Sequence, residues 1–268
     1  MFDFACCLPG PAADQRSRMA AEASAPRSQE ALHFKEGSEA QERSEWMKAI
    51  KAFSKAVELN GNNANYLYHL AYCLQEIAPE TGDQESSYHK RALKYYFKVV
   101  SLNPNHHEAW YNLGYVQEEL GMFSDAVTSF NKALDLDHKD KDALINLGNC
   151  HMSLGDFEMS VKTYHEALVL DRECVMSHYN LASAHHSAAT SCPESAKAKA
   201  HYEAARSEFR AAIGLKPDYA DAYFNLGICY QDEGLLDEAR QSYLKAVQLS
   251  PDMTEAIDAI AALDSKAQ

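Results

Sequence analysis

The sequence predicts an all-α fold made by repeating one helix pair, and three observations lead there. The stretch "EAWYNLGYVQEELGMFSDAVTSFNKALDLD" at 108–137 is nearly respelled as "DAYFNLGICYQDEGLLDEARQSYLKAVQLS" at 221–250. Stepping through the chain at a period of about 34 residues aligns further copies of the same pattern, the signature of a repeat architecture. Prolines at Pro104, Pro217 and Pro251 then close three of the copies, as expected of a residue that cannot continue a helix.

Each copy carries the same columns. A small residue in the first helix is Gly37, Ala71, Gly114, Gly148, Ala182 and Gly227. Leu70, Leu113, Leu147, Leu181 and Leu226 precede it, and Glu36 breaks the column. In the second helix stand Ala49, Ala92, Ala126, Ser160, Ala205 and Ala239, then an aromatic at Phe53, Tyr96, Phe130, Tyr164, Phe209 and Tyr243. Ala56, Val99, Ala133, Ala167, Ala212 and Ala246 complete the pattern. Small residues let two backbones approach, while Leu and the aromatic fill the space between neighbouring pairs. No pair can bury its apolar face alone, so the pairs must stack.

Composition bounds the function. The 268 residues are 46% hydrophobic and 24% charged, which suits one or two domains or one elongated array. No apolar run approaches the ~18 residues of a membrane-crossing helix. The start, "MFDFACCLPGPAADQ", interrupts its short apolar patch with Asp3 and makes a poor secretory signal. Seven cysteines, odd in number and without a C-x-x-C pair, point to a reducing compartment and a cytoplasmic location. A net charge of −14 argues against nucleic-acid binding and favours a basic partner.

The columns resemble the tetratricopeptide repeat, over roughly 30–266. Units are expected at 30–63, 64–106, 107–140, 141–174, 175–219 and 220–253, with a capping helix and tail at 254–268. The resemblance implies a right-handed α-solenoid whose first helices line an inner groove. Residues 1–29 lack periodicity and are expected to be disordered. Within them, Cys6 and Cys7 are candidates for reversible acylation, the only membrane contact expected. Phe2 rules out N-myristoylation.

Two units are too long. The insertions run through "QEIAPETGDQESSYHK" and "HSAATSCPESAKAKAHYEAA". Helix-start signals at 81–84 and 191–194, the second an S-x-x-E box containing Pro193, predict elongated second helices. The first unit is degenerate and polar, as suits an end facing water.

Nothing in the sequence points to catalysis. The adjacent pairs His106–His107 and His185–His186 point in different directions on a helix and lack metal-ligand spacing. A phosphate loop and a nucleophile elbow are both missing, so no enzyme, metal or cofactor is expected.

Function then rests on the inner face. Two residues before the small residue stand Lys35, His69, Asn112, Asn146, Asn180 and Asn225. Four successive amides, each offering donors and acceptors, suit the backbone of an extended peptide. Arrays of the resembled family hold polypeptide by a similar ladder. Around it lie Tyr111, Tyr115, Tyr179 and Phe224, with Glu108, Asp142 and Asp221 one turn earlier, and Glu118, Glu119 and Asp232 beyond. An acidic, aromatic groove favours a segment bearing Lys or Arg. Because these places lack Lys and Arg, the acidic tails of heat-shock chaperones are disfavoured. The expected function is a non-catalytic adaptor. The alternatives are a structural subunit of a ciliary, transport or organelle-assembly complex, and a regulatory module of an enzyme complex.

Overall fold

The computed structural model describes residues 28–79, 85–191, 193 and 197–266. Cys6, Cys7, Cys192 and the helix-start signal at 81–84 lie outside them. The described residues form thirteen helices and no strand: α1 (Gln29–Glu42), α2 (Trp46–Leu59), α3 (Ala64–Ile77), α4 (Glu85–Leu102), α5 (His107–Glu119), α6 (Phe123–Leu136), α7 (Lys141–Ser153), α8 (Phe157–Leu170), α9 (Val175–Ser191), α10 (Ala198–Leu215), α11 (Ala220–Asp232), α12 (Leu236–Leu249) and α13 (Thr254–Lys266). They fall into two compact units, one ending at Leu102 and the other beginning at Asn103. Within each unit every helix packs on the next, the pattern of an α-solenoid.

Local chemistry sets the helix ends. Ser28 caps α1 by accepting the Ala31 N–H at 3.3 Å, and Asp140 caps α7 through the Ala143 N–H at 2.9 Å. The turn inside the fourth pair runs through Gly155 at φ 75°. There the Asp156 N–H reaches the His151 carbonyl at 2.9 Å and closes α7.

The repeated columns form the core. The aromatics Phe53, Tyr96, Phe130, Tyr164, Phe209 and Tyr243 are buried, as are the two flanking columns of small residues. Each glycine of the first helices faces the aromatic of its own pair. A Cβ added at Gly114 would lie 2.9 Å from the Phe130 ring, and one at Gly148 2.5 Å from Tyr164. Where the aromatic is Tyr, its hydroxyl donates to an amide on the first helix of the same pair: Tyr96 to Gln75 at 3.0 Å, Tyr164 to Asn149 at 2.6 Å, Tyr243 to Gln231 at 3.1 Å. Burying the phenol therefore leaves no orphaned hydroxyl.

The insertions lengthen helices, but not only the second of each pair. α4 and α10 each have 18 residues, and α9 reaches 17. Of the box expected at 191–194, Cys192 and Glu194 lie outside the described residues, and Ser191 belongs to the preceding helix. Ser191 ends α9, its hydroxyl donating back to the Ala188 carbonyl at 2.9 Å, as Thr190 does to His186 at 3.1 Å. α10 begins at Ala198 without a side-chain cap. A hydroxyl near a helix end can bond backwards as readily as forwards, so the motif alone does not fix the direction.

Candidate functional site

The second unit, from Asn103 onward, holds every candidate groove residue. Here the first helices of successive pairs, α5, α7, α9 and α11, also touch one another. Their facing sides therefore form one shared surface, floored by the buried columns described above.

On that surface the amides bond between pairs. Asn146 Nδ2 on α7 donates to the Tyr111 hydroxyl on α5 at 3.2 Å. Asn225 Nδ2 on α11 donates to the Tyr179 hydroxyl on α9 at 2.6 Å. Asn180 Nδ2 on α9 donates to Asn149 Oδ1 on α7 at 3.2 Å. Asn112 is buried. The ladder thus ties each pair to its neighbour, with one amide proton of each of three members committed. Among the described residues, the amide oxygens of Asn146, Asn180 and Asn225 accept no hydrogen bond, and none of the three is among the fully buried unpaired atoms.

Asn149, which sequence reading passed over, is the junction. Its oxygen accepts from both Asn180 and the Tyr164 hydroxyl, which fixes the amide with its NH2 end free of that network. Its only sequence signal is a polar residue directly after Gly148, where the other pairs of this unit place Tyr115, Ser183 and Ile228.

The aromatic candidates are half-buried. Tyr111 and Tyr115 pack against the cluster around Phe130 and Leu147. Tyr179 and Phe224 pack against that around Phe209 and Tyr243. Burial, and after it the charges of Asp142 and Asp140, push the Tyr111 phenol up to about 12. Burial and then Asp221 raise Tyr179 as well. The acids predicted from sequence therefore stand beside the predicted tyrosines of the preceding pair. Glu108, Asp142 and Asp221 are exposed, with Glu108 3.1 Å from His106 Nδ1. Further along, His186 Nε2 meets Asp232 at 2.8 Å.

The nucleophiles and imidazoles sit elsewhere. Cys73, Cys150 and Cys229 each stand two residues after the small residue of a first helix, fully buried. Burial is the largest cause that pushes all three thiols up to about 12, so they act as small apolar fillers. Among the described residues, no three His, Cys, Asp or Glu side chains gather to hold a metal ion. No described helix is long and apolar enough to cross a membrane.

With this geometry in place, similarity to known proteins is informative. The tetratricopeptide repeat pattern matches residues 107–140 and 142–174, and again 194–254. Comparison with curated proteins gives no significant match. Among solved structures the chain is similar to YrrB, described as a tetratricopeptide repeat protein with an unusual peptide-binding site. Identity is 24% and the TM-score 0.62, covering 79% of this chain and 98% of that one. It is also similar to MamA from Desulfovibrio magneticus RS-1, at 17% identity and TM-score 0.57, covering 68% and 96%. Similarity to the APC/C hetero-tetramer Cut9–Hcn1 is 16% identity and TM-score 0.59, covering 92% of this chain and 45% of that one. At such identities the likeness is one of fold. Pattern, columns and helix packing agree: residues 107–140, 142–174 and 194–254 are tetratricopeptide repeats.

Proposed function

We propose that this chain is a non-catalytic adaptor that holds an extended segment of a partner protein along α5, α7, α9 and α11. The observation that carries the reading is the set of three amides, Asn146, Asn180 and Asn225, whose NH2 ends are bonded to the neighbouring pair while their oxygens accept no hydrogen bond among the described residues. Each amide is oriented by its bond to the neighbouring pair, so its acceptor is held ready for a backbone N–H at little further entropic cost. Half-buried tyrosines beside Asp142 and Asp221, with Glu108 at one end, favour a segment bearing Lys or Arg through charge pairing and cation–π contact. The peptide-binding description of YrrB and the complex formed by Cut9 support a polypeptide ligand.

The test selects random 12-residue peptides on the full chain, then measures their affinity for two variants. Asn146→Ala removes the acceptor, whereas Tyr111→Phe keeps the acceptor and the ring and removes only the bond that orients the amide. Loss of binding in the first and a smaller weakening in the second are expected. Equal binding by both would place recognition on another surface.

A fixed subunit of a larger assembly is the second reading. Insolubility of the chain without a partner would favour this reading over the adaptor.

A further inference from the structure

The inner stripe of α5 runs Glu108, Tyr111, Tyr115, Glu118, at steps of three and four residues that keep one helix face. Glu118 is only partly exposed, and among the described residues no cation pairs with it. Gln117 Oε1 on α5 accepts from the Ser129 hydroxyl of α6 at 2.6 Å, and Asn149 Oδ1 carries the two bonds described above. Across the surface, Glu118 acts on the Cys150 thiol of α7 and the Tyr164 phenol of α8. In both groups burial is the larger cause of an upward shift and the Glu118 charge adds to it. On its own helix Glu119 repels it. Burial first, and Glu119 second, lift the Glu118 carboxyl to about 7. A half-buried carboxylate without a counter-charge is costly, and the described residues supply none.

We infer that Glu118 is the counter-charge for one lysine or arginine side chain of the groove ligand, and that docking expels the carboxyl proton to solvent. The inference rests on the groove reading above. The protonated carboxyl and the ligand ammonium become a carboxylate–ammonium pair plus one free proton, so binding strengthens as pH rises. Among the described residues, Glu119, Cys150 and Tyr164 are the titratable groups that interact with Glu118 in this way. Cys150 and Tyr164 stay protonated through neutral pH.

The test is calorimetric titration of the full chain with an acetylated, amidated peptide of alternating Gly and Lys. Affinity is measured at pH 6 and pH 8, and proton release at pH 7 in phosphate and in Tris. An ionised fraction that rises about tenfold over that range predicts up to about tenfold tighter binding at pH 8. Glu118→Gln should bind more weakly at pH 8 with the pH dependence flattened. Glu119→Gln, at an exposed position, should move the midpoint to lower pH and keep binding at pH 8. Binding without proton release, or a Glu118→Gln variant that keeps the full pH dependence, would overturn the Glu118 assignment and leave the groove reading intact. No binding at either pH would overturn both this inference and the basic-segment reading.

Discussion

Gly148 meets Tyr164 so closely that a side chain has no room. Since an added Cβ would stand 2.5 Å from the ring and the ring is fixed by its bond to Asn149, Gly148→Ala should destabilise by ~1–3 kcal/mol. Urea unfolding reads this directly, and an unchanged midpoint would count against the close approach. Ala71 and Ala182 occupy the same place in the two lengthened pairs, so a Cβ is accepted there. A different single-residue cost sits in the first pair. Ser44 adopts φ 56° at the turn place where Gly121, Gly155 and Gly234 stand in other pairs. A left-handed conformation costs an L side chain about 1–2 kcal/mol. Ser44→Gly should therefore raise stability by ~1 kcal/mol, measured as a shift in thermal midpoint.

At the scale of elements, the long hairpin α9–α10 contains a histidine contact that makes it acid-sensitive. His185 Nδ1 lies 2.9 Å from His201 Nδ1, and the His165 ring from α8 meets His185 at 6.0 Å. Burial chiefly, then His201 and His165, push His185 down from 6.5 to about 4. The folded state thus refuses a proton that the unfolded chain accepts. The stability is fully present above pH 6.5 and is lost as pH falls toward 4, by about 2 kcal/mol at pH 5. His185→Gln should lose less stability than the native chain between pH 7.5 and pH 5 in denaturant titrations. Equal losses would assign the acid sensitivity to other groups. The capping helix is the second element with a measurable role. α13 buries Ala256 and Leu263 and is clasped by Arg240 on α12, 2.8 Å from Asp264. Truncation before Thr254 should uncover the cluster around Tyr243 and cost about 2–4 kcal/mol from the apolar area exposed. A truncated chain that melts like the native one would contradict that packing.

For the whole molecule, charge is the governing quantity. A net charge of −14 repels itself in the compact state, and salt screens that repulsion over a Debye length of about 10 Å at 0.1 M. The thermal midpoint should therefore rise between 10 mM and 300 mM NaCl, while binding of a basic peptide should weaken over the same range. A groove held mainly by apolar contact would show the first trend without the second.

The sequence by itself determined the helix pairs and their core. The columns from Gly114 to Phe130 and Ala133 are read from spacing because burial against the neighbouring helix tolerates few side chains at those places. That Asn146, Asn180 and Asn225 share one place in successive first helices follows from the same period. Side-chain pairing between helices has no period, and there only the tertiary structure decided. It turned Ser191 back into α9, bound Tyr164 and Asn180 to the same Asn149 oxygen, made Cys73, Cys150 and Cys229 inert fillers, and left Glu118 without a cationic partner among the described residues. Each outcome depends on which groups two helices bring within hydrogen-bond reach and how much water they exclude, quantities set by packing across residues distant in the chain.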